Sequence, residues 1–204
     1  MIDVLQSDDD GIIPLTKNVG EEYLYGRIEN ALYKLGFNEA QFSSLDGFLG
    51  KHLKQYLEDN FFADFADHLN IFQNLPKTPF IWHITSGKEK AFECFASIYK
   101  WSRDNLMRLR SVYVEHRERS LINRESDLLN NNSAQAQAEK AQIKLQLEEL
   151  KEFKNKIDDL LASGYDPKLD DGVGKNIAPL QKRKMLSYEV LNAGQLKKYL
   201  NADW

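Results

Sequence analysis

The chain has 204 residues, of which 42% are hydrophobic and 28% charged, enough for one large globular domain or two small ones. No apolar run approaches the ~20 residues that cross a bilayer and no charged-then-apolar signal segment opens the chain, so the cytoplasm is the expected compartment. Cys94 is the single cysteine, which excludes a disulfide framework and a Cys-based zinc site. The net charge of −4 is uneven: residues 1–75 carry 13 acids against 5 bases, whereas residues 88–124 carry 9 bases against 5 acids.

Residues 1–18, with SDDDGIIPLTKN, read as a lead-in loop. From Glu21 the pattern is helical, and Tyr25, Ile28, Leu32 and Leu35 precede Gly36 at a C-cap position. A second helical block carries Leu49, Leu53 and Leu57 on one face, continued by Phe61, Phe62, Phe65 and Leu69; aromatics this dense at helical spacing form core. Together these make an acidic helical subdomain over 19–75. Pro76 and Pro79 break it. FIWHITS then alternates Phe80, Trp82 and Ile84 against Ile81, His83 and Thr85, which predicts a short strand and turn over 76–87.

A long helix is predicted from Lys88 to about Leu129, with Phe92, Phe95, Tyr99, Leu106, Leu109 and Tyr113 as its apolar stripe. NNNS interrupts it, and Asn132 or Ser133 caps a return helix over 134–162. There Ile143, Leu147, Leu150, Ile157 and Leu161 keep a heptad with Lys154 in one seam position. The unit 88–162 is thus a long antiparallel helical hairpin, coiled-coil-like, with a polar tip projecting into solvent. Gly164 ends it, and 163–204 returns to the body. The expected fold class is mainly α with a minor β element.

YDPKLDDGVGKNIAPL (165–180) has the composition of a ligand loop, but its spacing fails each test. With Gly172 at the sixth EF-hand position, the first and third ligands are Pro167 and Leu169 and the last is Ala178. Gly174-Lys175 lacks the earlier P-loop glycine and is followed by Asn176 rather than Ser or Thr. GVGKNI lacks the last glycine of a dinucleotide fingerprint. The bland reading is a turn shaped by Gly172 and Gly174 with aspartate side chains bonding to backbone, and a short extended segment from Asn176–Ile177 beside the Trp82 strand. His52, His68, His83 and His116 show no metal spacing, His83 reads as a half-buried satisfied side chain, and Cys94 reads as an inert core thiol near Phe92 and Phe95. No catalytic residue and no metal ligand is assigned.

KTPFIWHITSGKEKAF (77–92), YKWSRDNLMRLRSVYV (99–114), a polar hairpin and YDPKLDDGVGKNIAPLQ (165–181), in that order, resemble the C-terminal region of BREX-type phage-defence adenine-specific DNA methyltransferases and of related restriction–modification methylases. The resemblance covers about 76–186. It marks Trp82, Ser86, Gly87, Asp170, Asp171, Gly172 and Asn176 as motif positions. It implies S-adenosylmethionine as cofactor of a full-length enzyme, with a methyltransferase core, duplex DNA and other defence proteins as partners. This chain departs from the family's catalytic pattern: its five prolines include no adjacent pair, so N/D-P-P-Y/F is missing, and no F-x-G-x-G occurs. The resemblance therefore implies a non-catalytic module with no cofactor of its own and no membrane.

Arg103, Arg110, Arg117 and Arg124 recur every seven residues, and Lys88, Lys90, Lys100 and Arg108 lie near the base of the same predicted helix. They are either DNA-backbone contacts or internal partners for Glu139, Glu148, Glu149, Glu152, Asp158 and Asp159 of the return helix. Two functions follow. One is DNA engagement and scaffolding, with Lys88, Lys90, Lys100, Arg103, Arg108, Arg110 and Arg117 as the contacts. The other is a protein-assembly surface of a multi-component defence complex.

Overall fold

The computed structural model describes residues 10–17, 23–68 and 77–201; the lead-in before Asp10, and Leu69 and Pro76, lie outside them. The fold is mainly helical around one small sheet. Strand β1 (Ile12–Pro14) pairs antiparallel with β3 (Glu93–Ser97), and β3 pairs antiparallel with β2 (Ile81–Thr85), giving the order β1-β3-β2.

Register divides the sheet into two faces, because side chains alternate along each strand. Ile81, His83 and Thr85 share one face with Glu93 and Phe95; Trp82, Ile84, Cys94 and Ala96 share the other. Four short helices lie on the side of the first face, α1 (Leu24–Lys34), α2 (Glu39–Leu49), α3 (Leu53–Asp59) and α4 (Phe61–His68); α4 packs on the sheet, and α2 packs on α3. Phe61 meets Phe95 edge-on at 5.2 Å between ring centroids, and Phe62 meets His83 at 6.4 Å. The second face packs on the hairpin: Trp82 meets Trp101 at 5.9 Å and Phe92 stacks on Phe153 at 6.5 Å.

The hairpin's outgoing arm is α5 (Arg103–Arg108), a π-helical segment (Leu109–Val114) and α6 (Glu115–Asp127), run together as one continuous helix. Its return arm is α7 (Ala134–Ala162), capped by the Ser133 hydroxyl accepting from the Ala136 amide, and ended by Gly164 in the left-handed region. The seam is packed to the tip. Leu121, Leu128, Ala136 and Ile143 are buried there, and only Leu129 of the tip leucines is exposed. Lys154, the seam lysine, donates to both carboxylate oxygens of Glu118 at 2.7 Å. A 3-10 turn (Leu169–Asp171), α8 (Gly172–Lys182) and α9 (Ala193–Leu200) close the chain.

The structure corrects several expectations. The long helix begins at Arg103, not Lys88, because residues 93–97 form the central strand. That strand is buried on both faces, so its apolar residues run on without alternation and mimic a helical stripe. The lead-in contains β1, and the second helical block is three helices, split at Gly50 (φ +69°) and Asn60. Residues 176–180 are helical rather than extended. The segment that does reach β2 lies later: the Thr85 amide donates to Met185 O at 3.0 Å and Ile84 bridges Leu186.

Phe153 fills the space between sheet and hairpin with no exposure. Phe153→Ala is expected to lower the unfolding free energy by about 3–5 kcal/mol, read by urea denaturation, because little around it can collapse into the cavity.

Candidate functional site

Three clusters of the sequence-marked residues can be followed from side chain to partner. The first is the Ser-Gly-Lys loop between β2 and β3. Glu149 of α7 is 9% exposed and points into this loop. Its Oε1 accepts from the Ser86 hydroxyl at 2.6 Å and the Ala91 amide at 3.1 Å, and its Oε2 accepts from the Glu89 amide at 2.7 Å. The Ser86 oxygen in turn accepts from the Phe92 amide at 2.9 Å. Gly87 is required by the approach: a Cβ there would sit 2.6 Å from Glu149 Oε2.

Neighbouring side chains finish the same loop. Gln146 Nε2 donates to Glu89 O at 3.2 Å, Arg117 Nε donates to Ala91 O at 2.9 Å, and Lys90 Nζ lies 2.5 Å from Asp59 Oδ1. The Lys90 hydrogen bond holds the Asp59 carboxyl below its usual range. Elements α3, α6 and α7 therefore all meet on the loop of residues 86–92. These contacts hold the shape of the loop.

The second cluster is the Asp-Asp-Gly-Val stretch, and here the geometry is also structural. Trp101 Nε1 donates to the Tyr165 hydroxyl at 2.9 Å, and that hydroxyl donates to Asn176 O at 2.8 Å. Burial pushes the Tyr165 phenol up. The Asn176 side chain donates to Lys168 O at 2.6 Å and accepts from the Lys168 amide at 3.3 Å, closing the turn. Gly172 takes φ +79°, and Gly174 lies against the Tyr199 ring, where a Cβ would come within 2.3 Å. Lys175 pairs with Asp171 at 3.4 Å, and Asp170 is exposed. Gly172 takes the expected left-handed position between the 3-10 turn and α8, but Gly174 lies inside α8 rather than in a turn, and the side-chain bonds to backbone expected of the aspartates are made by Asn176.

The third cluster is the arginine stripe. Arg103 Nη1 donates to Leu161 O at 3.0 Å and Tyr165 O at 3.2 Å, at the C-terminus of α7, where a cation complements the helix dipole. Arg110 makes a bidentate pair with Asp158 at 2.6 and 3.0 Å and a third bond to Glu115. Arg117 lies against Ala91 O, and burial holds its guanidinium below the usual arginine range. Arg124 is bidentate to Glu139, and that hydrogen bond holds the Glu139 carboxyl low. The heptad period thus keeps these arginines on the return helix and the loop. Of the other cations marked in the sequence, Arg108 meets Asp10 at 2.5 Å, Lys88 meets Glu89 at 3.3 Å while almost fully exposed, and Lys100 is exposed with no ion pair among the described residues.

His83 is fully buried rather than half-buried, with Nε2 3.4 Å from Glu93 Oε1 but outside hydrogen-bond geometry. Cys94 lies in β3, not on a helix, and burial raises its thiol far above the ordinary range. Among the described residues no group of three His, Cys, Asp or Glu side chains could hold a metal ion, and no helix is long and apolar enough to cross a membrane. Glu149 was expected only as a candidate partner for the arginines; its place in the loop was missed, because in LQLEELKEF it looks like one of several solvated glutamates. The buried Phe153 and Leu160, at i+4 and i+11 from it, were the available signal that α7 is covered on a second side.

No protein-family model matches the chain. It is 27% identical over 195 residues, 83% of this chain, to the adenine-specific methyltransferase BrxX of Escherichia coli O9:H4 (strain HS). It is also 27% identical over 139 residues, 64% of this chain, to the adenine-specific methyltransferase PglX of Lacticaseibacillus casei (strain Zhang). The chain spans 16% and 11% of the lengths of these two relatives. Its similarity to BREX-type adenine-specific methyltransferases agrees with the motif resemblance of residues 77–181.

Removing the Glu149 carboxylate leaves a hydroxyl and two amides unsatisfied in the interior. Glu149→Ala is expected to cost about 3–5 kcal/mol in urea denaturation, and Glu149→Gln, which keeps one acceptor oxygen, less than half of that. Cys94 in the folded chain is expected to resist a thiol-reactive aromatic disulfide, read by absorbance, and to react fully only in denaturant.

Proposed function

We propose that this chain is a non-catalytic module of an adenine-specific DNA methyltransferase of a phage-defence or restriction–modification system, serving as scaffold and engaging duplex DNA through its backbone. The observation that carries this reading is the similarity to an adenine-specific methyltransferase along 83% of the chain, joined to the missing N/D-P-P-Y/F and F-x-G-x-G motifs. S-adenosylmethionine and methyl transfer then belong to a separate core, and the working partners of this module are that core, DNA and other defence proteins.

Scaffolding is supported by where the motif residues go. Trp82, Ser86, Gly87 and Asn176 make internal contacts, as a body that positions something else requires. DNA engagement is supported by exposed cations, Lys88 in the loop between β2 and β3 and Lys100 just before α5 among them, which can add sequence-neutral, salt-dependent affinity.

Fluorescence anisotropy with a short duplex tests this. Binding is expected at about 50 mM salt and a loss of affinity of at least tenfold at about 200 mM. In parallel, the chain with S-adenosylmethionine is expected to transfer no methyl group to that duplex. Methyl incorporation contradicts the non-catalytic role, and a duplex left free at low salt contradicts DNA engagement.

A further inference from the structure

The hairpin arginines are taken up by internal partners, and a denser excess of basic residues lies beyond the hairpin. Residues 172–201 carry six bases, Lys175, Lys182, Arg183, Lys184, Lys197 and Lys198, against one acid, Glu189, in a chain whose net charge is −4. Lys175 is paired with Asp171, and Arg183 donates to Pro179 O at 3.3 Å. Lys182, Lys184, Lys197 and Lys198 are exposed and make no ion pair among the described residues.

The fold puts these four on one two-helix unit, Lys182 and Lys184 at one end of it and Lys197 and Lys198 toward the other. The Gln181 side chain donates to Leu191 O at 2.7 Å and accepts from the Leu191 amide at 2.9 Å, so the end of α8 is clamped to the start of α9. At the other end Gly174 lies against Tyr199. The two helices therefore run antiparallel in contact. Leu196, Tyr199 and Leu200 pack inward, which leaves Lys197 and Lys198 outward.

Lys184 adds an independent observation. It follows the C-cap Arg183 at φ +53°, with its amide donating to Gln181 O at 2.9 Å and the Met185 amide donating to Leu180 O at 3.1 Å. This is the left-handed position that ends a helix and that glycine ordinarily fills. A lysine there is held in a conformation unfavourable to any residue with a Cβ, and its ammonium projects from the junction of the two helices.

We infer that the outer face of the α8–α9 pair, through Lys182, Lys184, Lys197 and Lys198, is the surface that meets the phosphate backbone of duplex DNA. The inference rests on the reading of the chain as a DNA-engaging module and places that engagement at the C-terminal helices rather than on the hairpin arginines. Duplex DNA carries one charge per ~1.7 Å of axis, so exposed ammonium groups at the two ends of a short helix pair meet separate phosphates. Ammonium contacts to phosphates read no base edges, so this affinity is sequence-neutral.

The full chain is compared with Lys182→Gln/Lys184→Gln/Lys197→Gln/Lys198→Gln by anisotropy on the same duplex, with circular dichroism as the check on folding. The variant is expected to lose at least tenfold in affinity at about 50 mM salt, and its slope of log affinity against log salt to fall by about 3–4. Lys184→Gly separates charge from structure. It is expected to raise the urea midpoint while weakening DNA binding and lowering the slope by about 1. A wild type that binds and a quadruple variant that binds equally overturn this placement alone. A wild type that leaves the duplex free overturns the DNA-engagement reading and this face with it. Tighter binding of the wild type to polyglutamate than to the duplex also overturns the inference and marks an acidic protein as the partner.

Discussion

One buried carboxylate organises the centre of this fold. Glu149 leaves the return helix and enters the loop between two strands, where a hydroxyl and two amides turn toward it. A charge at that depth is costly unless its hydrogen bonds are satisfied, and backbone amides that have left a ladder carry the same requirement. Each side of the contact supplies what the other lacks. Because Ser86, Gly87 and Glu149 must fit together, the hairpin has one seating on the sheet, and a slide of one helical residue would bury the wrong side chain.

The rest of the architecture follows from that seating. With α7 fixed, Phe153 lies under Phe92, Trp101 reaches Tyr165, and Asn176 can close the turn that launches α8. The arginines of the outgoing helix then have partners at the right heights: the end of α7 for Arg103, Asp158 for Arg110, the loop for Arg117 and Glu139 for Arg124. Exposed pairs of this kind contribute little each. Spaced along two arms, they fix register, and they turn a regular charge pattern into an internal feature. Lys182, Lys197 and Lys198 of α8 and α9, with Lys184 between them, lie beyond the segment with the regular pattern and make no ion pair among the described residues.

Much of this was legible in the residues and some was not. The β2 strand, the Ser133 cap, the span of α7 and the Lys154 interruption follow from local signals, because capping, alternation and heptad spacing act within a few residues. The central strand β3 was not legible. Covered on both faces, ECFAS shows no alternation, and Phe92, Phe95 and Tyr99 happen to fall at helical spacing. Asn176 was marked as a motif position, yet its helical conformation and its bonds to Lys168 depend on Tyr165 and Trp101, far away in sequence. Glu149 was hidden for the same reason: burial of an acid is a property of the partner surface, and that surface is a loop about 60 residues away.

The central claim is that Glu149 holds the loop to the hairpin, and amide hydrogen exchange of the native chain reads it most directly. The Glu89 and Ala91 amides sit in a loop, yet each donates to that carboxylate. The account predicts that both exchange as slowly as the β3 amides, at rates set by global unfolding. Exchange of either amide at the rate of an open surface loop, while β3 stays protected, would contradict it.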